Sequence, residues 1–510
     1  MRRNLLFAFV ALPALLWAQE RPPLFEGIGK HEFKVTTTSP EAQDYFNQGL
    51  VFSYGFNLDE AHRAFVYASA LDPECAMAYW GAAYTLGPYL NGRMNPRDEE
   101  KARDLAAKAL AKLDDETEVE RALVQALQKR YEAGVARDQA DKNYAEAMRA
   151  VAAKLPQESE VLTLAAEAMM DLHPWNFWTR EKVAQEWTKE ITELLDRSFE
   201  IDPDNPGTCH FVVHMWEGSA TPEHAVPAAD RLGSLSPGVE HLVHMPAHIY
   251  YKVGRYHDGT ELNVKATRAH EEYKRQCGEM GLSPVGGYEG HDWDYVWAGA
   301  TYEGRSELAL KAAEREGVHD TKLAYSRIRF GKWEDLLKMK PADTEGSGQK
   351  AAMHYGRALA QLRLNGDVGA AQAEYDAMMV VIGENTRSNH YRISRDIVAG
   401  EIAAAKKDWD EAVRLLEEAK KVEDSMFNPE LPSWHQPVRL ILGKVLLDAG
   451  RAAEAETAYR ECLRTFPDLG WALFGLVQAL DAQGKDASAE RARFEKAWQH
   501  ADVKLTSSRF

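Results

Sequence analysis

Only four cysteines (Cys75, Cys209, Cys277 and Cys462) occur in 510 residues, too few for a scaffold built on disulfides. Basic residues are also in deficit: 61 Lys and Arg face 79 Asp and Glu, a formal net charge of −18. Without a basic face nothing would grip a phosphate backbone, so nucleic acid is excluded as a partner. After Trp17 no stretch is apolar enough to span a bilayer, so no transmembrane segment is expected in the mature chain. The chain also lacks a phosphate loop, a dinucleotide fingerprint, a nucleophile elbow and an HExxH motif. No catalytic residue and no organic-cofactor site is therefore assigned, and the reading leans against an enzyme.

Met1-Arg2-Arg3 followed by the apolar run Leu5 to Trp17 has the charge and length of a secretory signal, with Ala18 as its last residue. The expected destination is the periplasm or the extracellular space. Beyond it the composition, 45% hydrophobic and 27% charged, suits a folded protein.

Self-similar segments organise the rest. GFNLDEAHRAFVYASALDPE, GRYHDGTELNVKA, GRSELALKAAE, GDVGAAQAEYDAM, KDWDEAVRLLEEA and GRAAEAETAYRECLRTFPD each carry a turn, a small residue, a large residue one helical turn later and often a closing Pro. Tyr45, Gly49, Ala61, Phe65, Ala68 and Pro73 form one complete set, and Gly443, Ala455, Tyr459, Cys462 and Pro467 another. In these residues the chain resembles the tetratricopeptide repeat (TPR) family, whose period is about 34 residues. The resemblance implies an all-α fold, a superhelical array of antiparallel helix pairs, or α-solenoid. Repeats are expected to start near Ala42, Ala76, Pro206, Glu240, Gly290, Gly317, Ala352, Ile393, Gln436 and Gly470. The expected organisation is a signal peptide (1–18), an N-terminal TPR-like array (19–339) and a C-terminal array (340–510), with loops at Lys274–Glu289 and Lys340–Gly348.

Five of the 17 histidines fall in two apolar segments, CHFVVHMWEG (Cys209–Gly218) and EHLVHMPAHIYY (Glu240–Tyr251). On helices, His210, His214 and Glu217 form one stripe, and His241, His244 and His248 another. The repeat register was set by the second helices, yet it puts these residues at positions 2, 5, 9 and 12 of the first helices, which in the family line the concave groove. Gly290 as a start adds His291 and Asp294. Imidazoles and carboxylates converging from neighbouring helices suit Zn, Cu, Fe or Ni, and so many donors fit one ion with open positions, or two ions, better than one closed four-ligand site. Pro246 is the awkward residue, because it breaks the helix that would carry the second stripe.

Cys209 and Cys462 sit at packing positions. Phe46, Trp80 and Tyr84 are expected to close one end of the array, and the aromatics from His173 to Trp178 to cover a gap in packing. His62, His224, His257 and His270 are expected to be solvated. The first functional expectation is thus an exported repeat scaffold whose groove residues His210, His214, Glu217, His241, His244, His248, His291 and Asp294 bind a transition metal or a metal-dependent ligand. A second is an interaction module that captures a protein or peptide without metal, the same histidines serving as hydrogen-bonding groups. A third, metal-dependent hydrolysis, would use Glu217 as base.

Overall fold

The computed structural model describes residues 21–315, 320–340, 346–383, 387–426 and 430–510. The signal reading at 1–18, the repeat start at Gly317 and residues 341–345 lie outside them. Among the described residues the architecture is all-α, with no strand.

The first pair shows how the sequence builds the unit. Ser39 accepts a bond from Ala42 N–H and Pro40 occupies the first turn, which starts the Pro40–Tyr54 helix. Phe56 takes a positive φ of 54° in the turn, and Asn57 caps the returning Leu58–Leu71 helix through Glu60 N–H. Phe65 of the second helix then wedges between first helices. Its ring lies 2.9 Å from where a Cβ on Gly49 would stand and overlaps the corresponding position at Gly81. Tyr459 does the same at Gly443 and Gly475. A large residue seated against a glycine is thus the joint that stacks one pair on the next, at both ends of the array.

Two large hydrophobic cores follow, one from Phe25 to Cys277 and one from Ala247 to Leu505, with a small third cluster of Trp293, Val296 and Ala312. Ile328, Phe330 and Leu336 share the second with Ala351, Tyr355 and Leu359, so side chains from both sides of residue 340 pack together. All four cysteines are buried thiols without a disulfide. Phe46, Trp80 and Tyr84 are buried in the first core.

Two expectations about loops and surface are corrected. Lys274–Glu279 is helical, being the end of the Tyr256–Glu279 helix; Arg275 pairs with Glu272 and Glu279 on consecutive turns, and Cys277 is buried beneath them. Ser347 and Gly348 likewise open the Ser347–Ala360 helix. Of the four histidines expected in solvent, His270 is buried and paired with Glu240, and His62 bonds the Ala82 carbonyl and Thr85. Burial first, and then Lys101, drives the His62 pKa down to about 4.

The concave side of the first unit is not empty. Residues 21–38 run along it without helix: Gln43 bonds Val35 N–H and the Phe33 carbonyl, and Gln48 bonds Phe25 N–H and the Pro23 carbonyl. Gln43 and Phe46 are the expected groove positions of that unit, and the ring of Phe33 lies against Phe46. The segment also ties to the middle of the chain, where Gly238 N–H donates to the Gly27 carbonyl at 2.7 Å.

Candidate metal centre

Asn205 caps the Pro206–Trp216 helix by accepting from Thr208 N–H, and Pro206 fills its first turn. Every residue from Pro206 to Met215 is buried, the polar Thr208, His210 and His214 included, because the array encloses the helix. Gly207 lets it approach the first helix, because a Cβ there would stand 2.6 Å from the Tyr54 ring. This closeness brings His210 Nδ1 within 2.6 Å of the Tyr54 carbonyl.

Pro246 does interrupt the second stripe, which lies on two short helices, Glu240–His244 and Pro246–Lys252. The break costs a hydrogen bond but not the direction, since Met245 keeps helical dihedrals (φ −52°, ψ −37°). His244 and His248 therefore stay on one face, their Nε2 atoms 2.8 Å apart. His291 arrives from the Glu289–Glu303 helix, its ring 4.8 Å from that of His244.

Two groups of three imidazoles result, His210–His214–His241 and His244–His248–His291, each with ligand atoms within 4.8 Å of one another. They adjoin: ring centroids are 5.9 Å apart for His214 and His248 and 5.8 Å for His241 and His244. All but His291 are buried, and the His291 side chain keeps 30% exposure. The expected open groove is therefore, at this point, a closed core.

The hydrogen bonds fix which nitrogens are available. His210 Nδ1 must donate to the Tyr54 carbonyl, and His214 Nδ1 to Glu217 Oε1 at 2.8 Å. The Nε2 atoms of both rings then carry lone pairs, and neither has a partner; nor does either nitrogen of His241. In the second group, Asn263 gives its amide N–H to the Gly259 carbonyl, so its oxygen faces His244 Nδ1 at 2.6 Å and accepts from it. His248 Nδ1 donates to Glu217 Oε2 at 2.6 Å. Two Nε2 lone pairs thus face each other at 2.8 Å, an arrangement that requires a proton or a cation between them.

Burial, reinforced by the neighbouring imidazoles, holds His210, His241 and His244 well below the ordinary histidine pKa. The same causes bring His291 to about 4. These rings are neutral at physiological pH, the form that ligates metals. Burial opposes ionisation of Glu217, but His248 and His214 outweigh it and hold the carboxyl at about 2.

Two of the expected donors take other places. Glu217 joins the two groups from behind, each of its oxygens accepting an imidazole N–H, so it fixes the orientation of the His214 and His248 rings. Asp294 points away and pairs with Lys322. On that helix Tyr295, one turn after His291, faces the histidines instead, with centroids 4.6 Å from His244 and 4.7 Å from His248. The buried carboxyl is Asp292, 3.3 Å from His244 Nδ1. Burial first, and then Glu240 and Glu289, raises its pKa well above the usual range.

Sequence reasoning also passed over the aromatic wall. Phe56 lies 4.6, 5.8 and 5.3 Å from His210, His214 and His241, Trp175 meets His214 edge-on at 5.0 Å, and Tyr288 stacks on His241 at 4.2 Å. Phe56 and Trp175 both hold positive φ values, of 54° and 62°, a rare state for aromatic residues. Nothing in the linear pattern around Phe56 or Asn263 marks them; His173–Trp178 was conspicuous, but as packing.

No family model matches the chain, and no curated protein does. Solved helical-repeat structures align over most of it. One is the Cut9–Hcn1 hetero-tetramer of the APC/C, at 13% identity, covering 89% of this chain and 76% of that one, with a TM-score of 0.30. Another is yeast Tom70, at 13% identity, 91% and 93% coverage and a TM-score of 0.25. A third is the P58(IPK) TPR domain, at 13% identity, 90% and 97% coverage and a TM-score of 0.25. The class assigned to the chain, a TPR-like helical solenoid, stands on its own helix pairs and glycine-seated joints.

Proposed function

We propose that this chain is an exported helical-repeat scaffold that holds transition-metal ions in a buried centre of two histidine triads. One observation carries the reading: in the first triad the buried nitrogens His210 Nε2, His214 Nε2 and both of His241 converge with no protein partner, and in the second the Nε2 atoms of His244 and His248 are turned on each other at 2.8 Å. Leaving such groups unsatisfied costs about 1–3 kcal/mol each, and a bound cation removes that cost. The tautomers are already set for it, with Nδ1 spent on Tyr54, Glu217 and Asn263 and Nε2 turned inward. Glu217 and Asn263 are the outer partners that fix ring orientation in metal sites. His210, His214 and His241 would hold one ion, and His244, His248 and His291 another.

Elemental analysis of the mature protein, purified without chelators and then titrated with metal, tests this. Uptake that is lost when His214 and His248 are both replaced by Ala supports it. Less than about a tenth of an equivalent, with none taken up on titration, overturns it.

A partner-binding role belongs in the same reading, and the C-terminal half offers the place. There a cavity of about 600 Å³ is lined by Trp297, Tyr325, Tyr391 and His435 among others, and both nitrogens of buried His435 lack a partner. The first unit is the poorer candidate, because residues 21–38 fill its concave side.

A further inference from the structure

In the second core one cation stands without a counter-charge. Arg329 is 2% exposed; its Nη1 donates to Gln436 Oε1 at 3.2 Å, its guanidinium lies 3.7 Å from the centre of the Trp471 ring, and its Nε has no partner. Among the described residues no carboxylate pairs with it, and the buried Glu401 is taken by Arg363 and Arg509. Burial lowers the Arg329 pKa to about 9, still above neutrality, so the charge stays. A buried charge is costly unless it is paired and hydrogen-bonded.

Beside Gln436 in sequence, Trp434 and His435 turn inward to meet Tyr355. Their ring centroids form a triangle of 4.7, 5.9 and 5.9 Å, and all three residues are buried. Trp434 Nε1, the Tyr355 hydroxyl and both nitrogens of His435 have no partner. Burial first, and then Arg329, keeps His435 neutral, so it offers one N–H. Unpartnered donors thus collect beside an unpaired positive charge. Water satisfies a donor but does not neutralise a guanidinium, and the group that does both is an anion. His435 also lines the cavity of about 600 Å³, stacked on Tyr325 at 4.2 Å, with Trp297 and Tyr391 as further aromatic walls. The charged residues lining that cavity, Asp294 and Lys322, pair with each other.

We propose that the C-terminal half binds a small aromatic monocarboxylate, its flat body against Trp297, Tyr325 and Tyr391 and its carboxylate directed to His435 and Arg329. This rests on the reading of that cavity as a binding place and is independent of the metal centre. The volume suits a small molecule, and aromatic walls with a few placed polar groups are the usual make-up of such a pocket.

Benzoate, benzamide and acetate are titrated separately into the full chain by calorimetry. Benzoate should bind with a Kd below about 1 mM, and benzamide, which keeps the shape and loses the charge, about tenfold more weakly or worse. Acetate, which has no ring to set against the aromatic walls, should also bind more weakly than benzoate. Arg329→Met retains a stem against Trp471 and should abolish benzoate binding without lowering the melting temperature, whereas an arginine that serves only the fold would lower it. His435→Phe retains the stack on Tyr325 and should weaken benzoate by about tenfold, with circular dichroism confirming that both variants fold. Benzoate and benzamide held alike, or benzoate held unchanged by either variant, would overturn the carboxylate site while the cavity remains a binding place. Binding of none of the three would overturn the proposal and the reading of the cavity together.

Discussion

Replacing Glu217 with Gln removes one charge and almost no volume, and its consequence follows from tautomers. The carboxylate accepts Nδ1–H from His214 at 2.8 Å and from His248 at 2.6 Å. A carboxamide has one oxygen and one NH₂, so it can accept from only one of the two rings and must donate to the other. The ring that receives the NH₂ moves its proton to Nε2, into the space meant for metal. One triad thereby loses a donor while the other keeps three. Loss of an orienting partner typically weakens metal affinity about 10–100-fold, or about 1.4–2.7 kcal/mol. Titration of Glu217→Gln should therefore show one site near its original affinity and one weakened by that factor. Nitrogen-15 spectra of the imidazoles should show one ring of the pair with its tautomer reversed. Two sites of unchanged affinity would refute the argument, and equal loss at both would show that charge, not tautomer, is what Glu217 supplies.

Gly207→Ala should destabilise the fold by about 1–3 kcal/mol through the Tyr54 ring, read as a lowered denaturation midpoint, and weaken metal uptake by moving His210 off the Tyr54 carbonyl; an unchanged midpoint contradicts the close approach. Acid should destabilise the metal-free protein. His210, His241, His244 and His291 have folded pKa values below the unfolded one, so below about pH 6.5 the unfolded chain binds more protons and stability falls as pH drops, by up to about 1.4 kcal/mol per unit per site. His31 and His270, raised by their carboxylate partners against the pull of burial, act in the opposite sense but are fewer. Calorimetry in chelator should show the melting temperature falling from pH 6.5 toward 4, where His291 itself titrates, and a flat profile would count against the buried neutral rings. Gln48→Ala should free residues 21–38 from the first unit, seen as faster proteolysis near Phe25, with unaltered cleavage as the contrary result. Amino-terminal sequencing of the exported protein should begin at Gln19, and retention of Met1 would remove the signal reading.

Much of the centre was legible because a helix stripe is a local property. His210, His214, His241, His244 and His248 needed only the period of the helix, and the register placed their helices side by side. Pro246 was also read correctly as a break, though a residue with helical dihedrals before it let the stripe continue. What failed depended on neighbours far along the chain. That the groove is closed could not be read locally, since it is the Phe56 and Trp175 turns and Tyr288 that cover it. Asp294 and Asp292 lie two residues apart and so on nearly opposite sides of their helix, and the phase that turns Asp292 toward His244 leaves Asp294 to meet Lys322. Glu217 shares a stripe with His214, which suggested a ligand; its role became clear only when His248, from another helix, was found on its second oxygen. Lys274–Glu279 looked like a loop by its glycine, but the Arg275 ion pairs and buried Cys277 hold it helical.

The central claim is that two ions sit among six imidazoles, and anomalous diffraction from crystals of metal-loaded protein tests it most directly. Data collected on either side of the metal's absorption edge should give one peak bounded by His210, His214 and His241 and a second bounded by His244, His248 and His291, with Glu217 behind both. No peak within reach of these nitrogens, in crystals grown with the metal, would contradict the account.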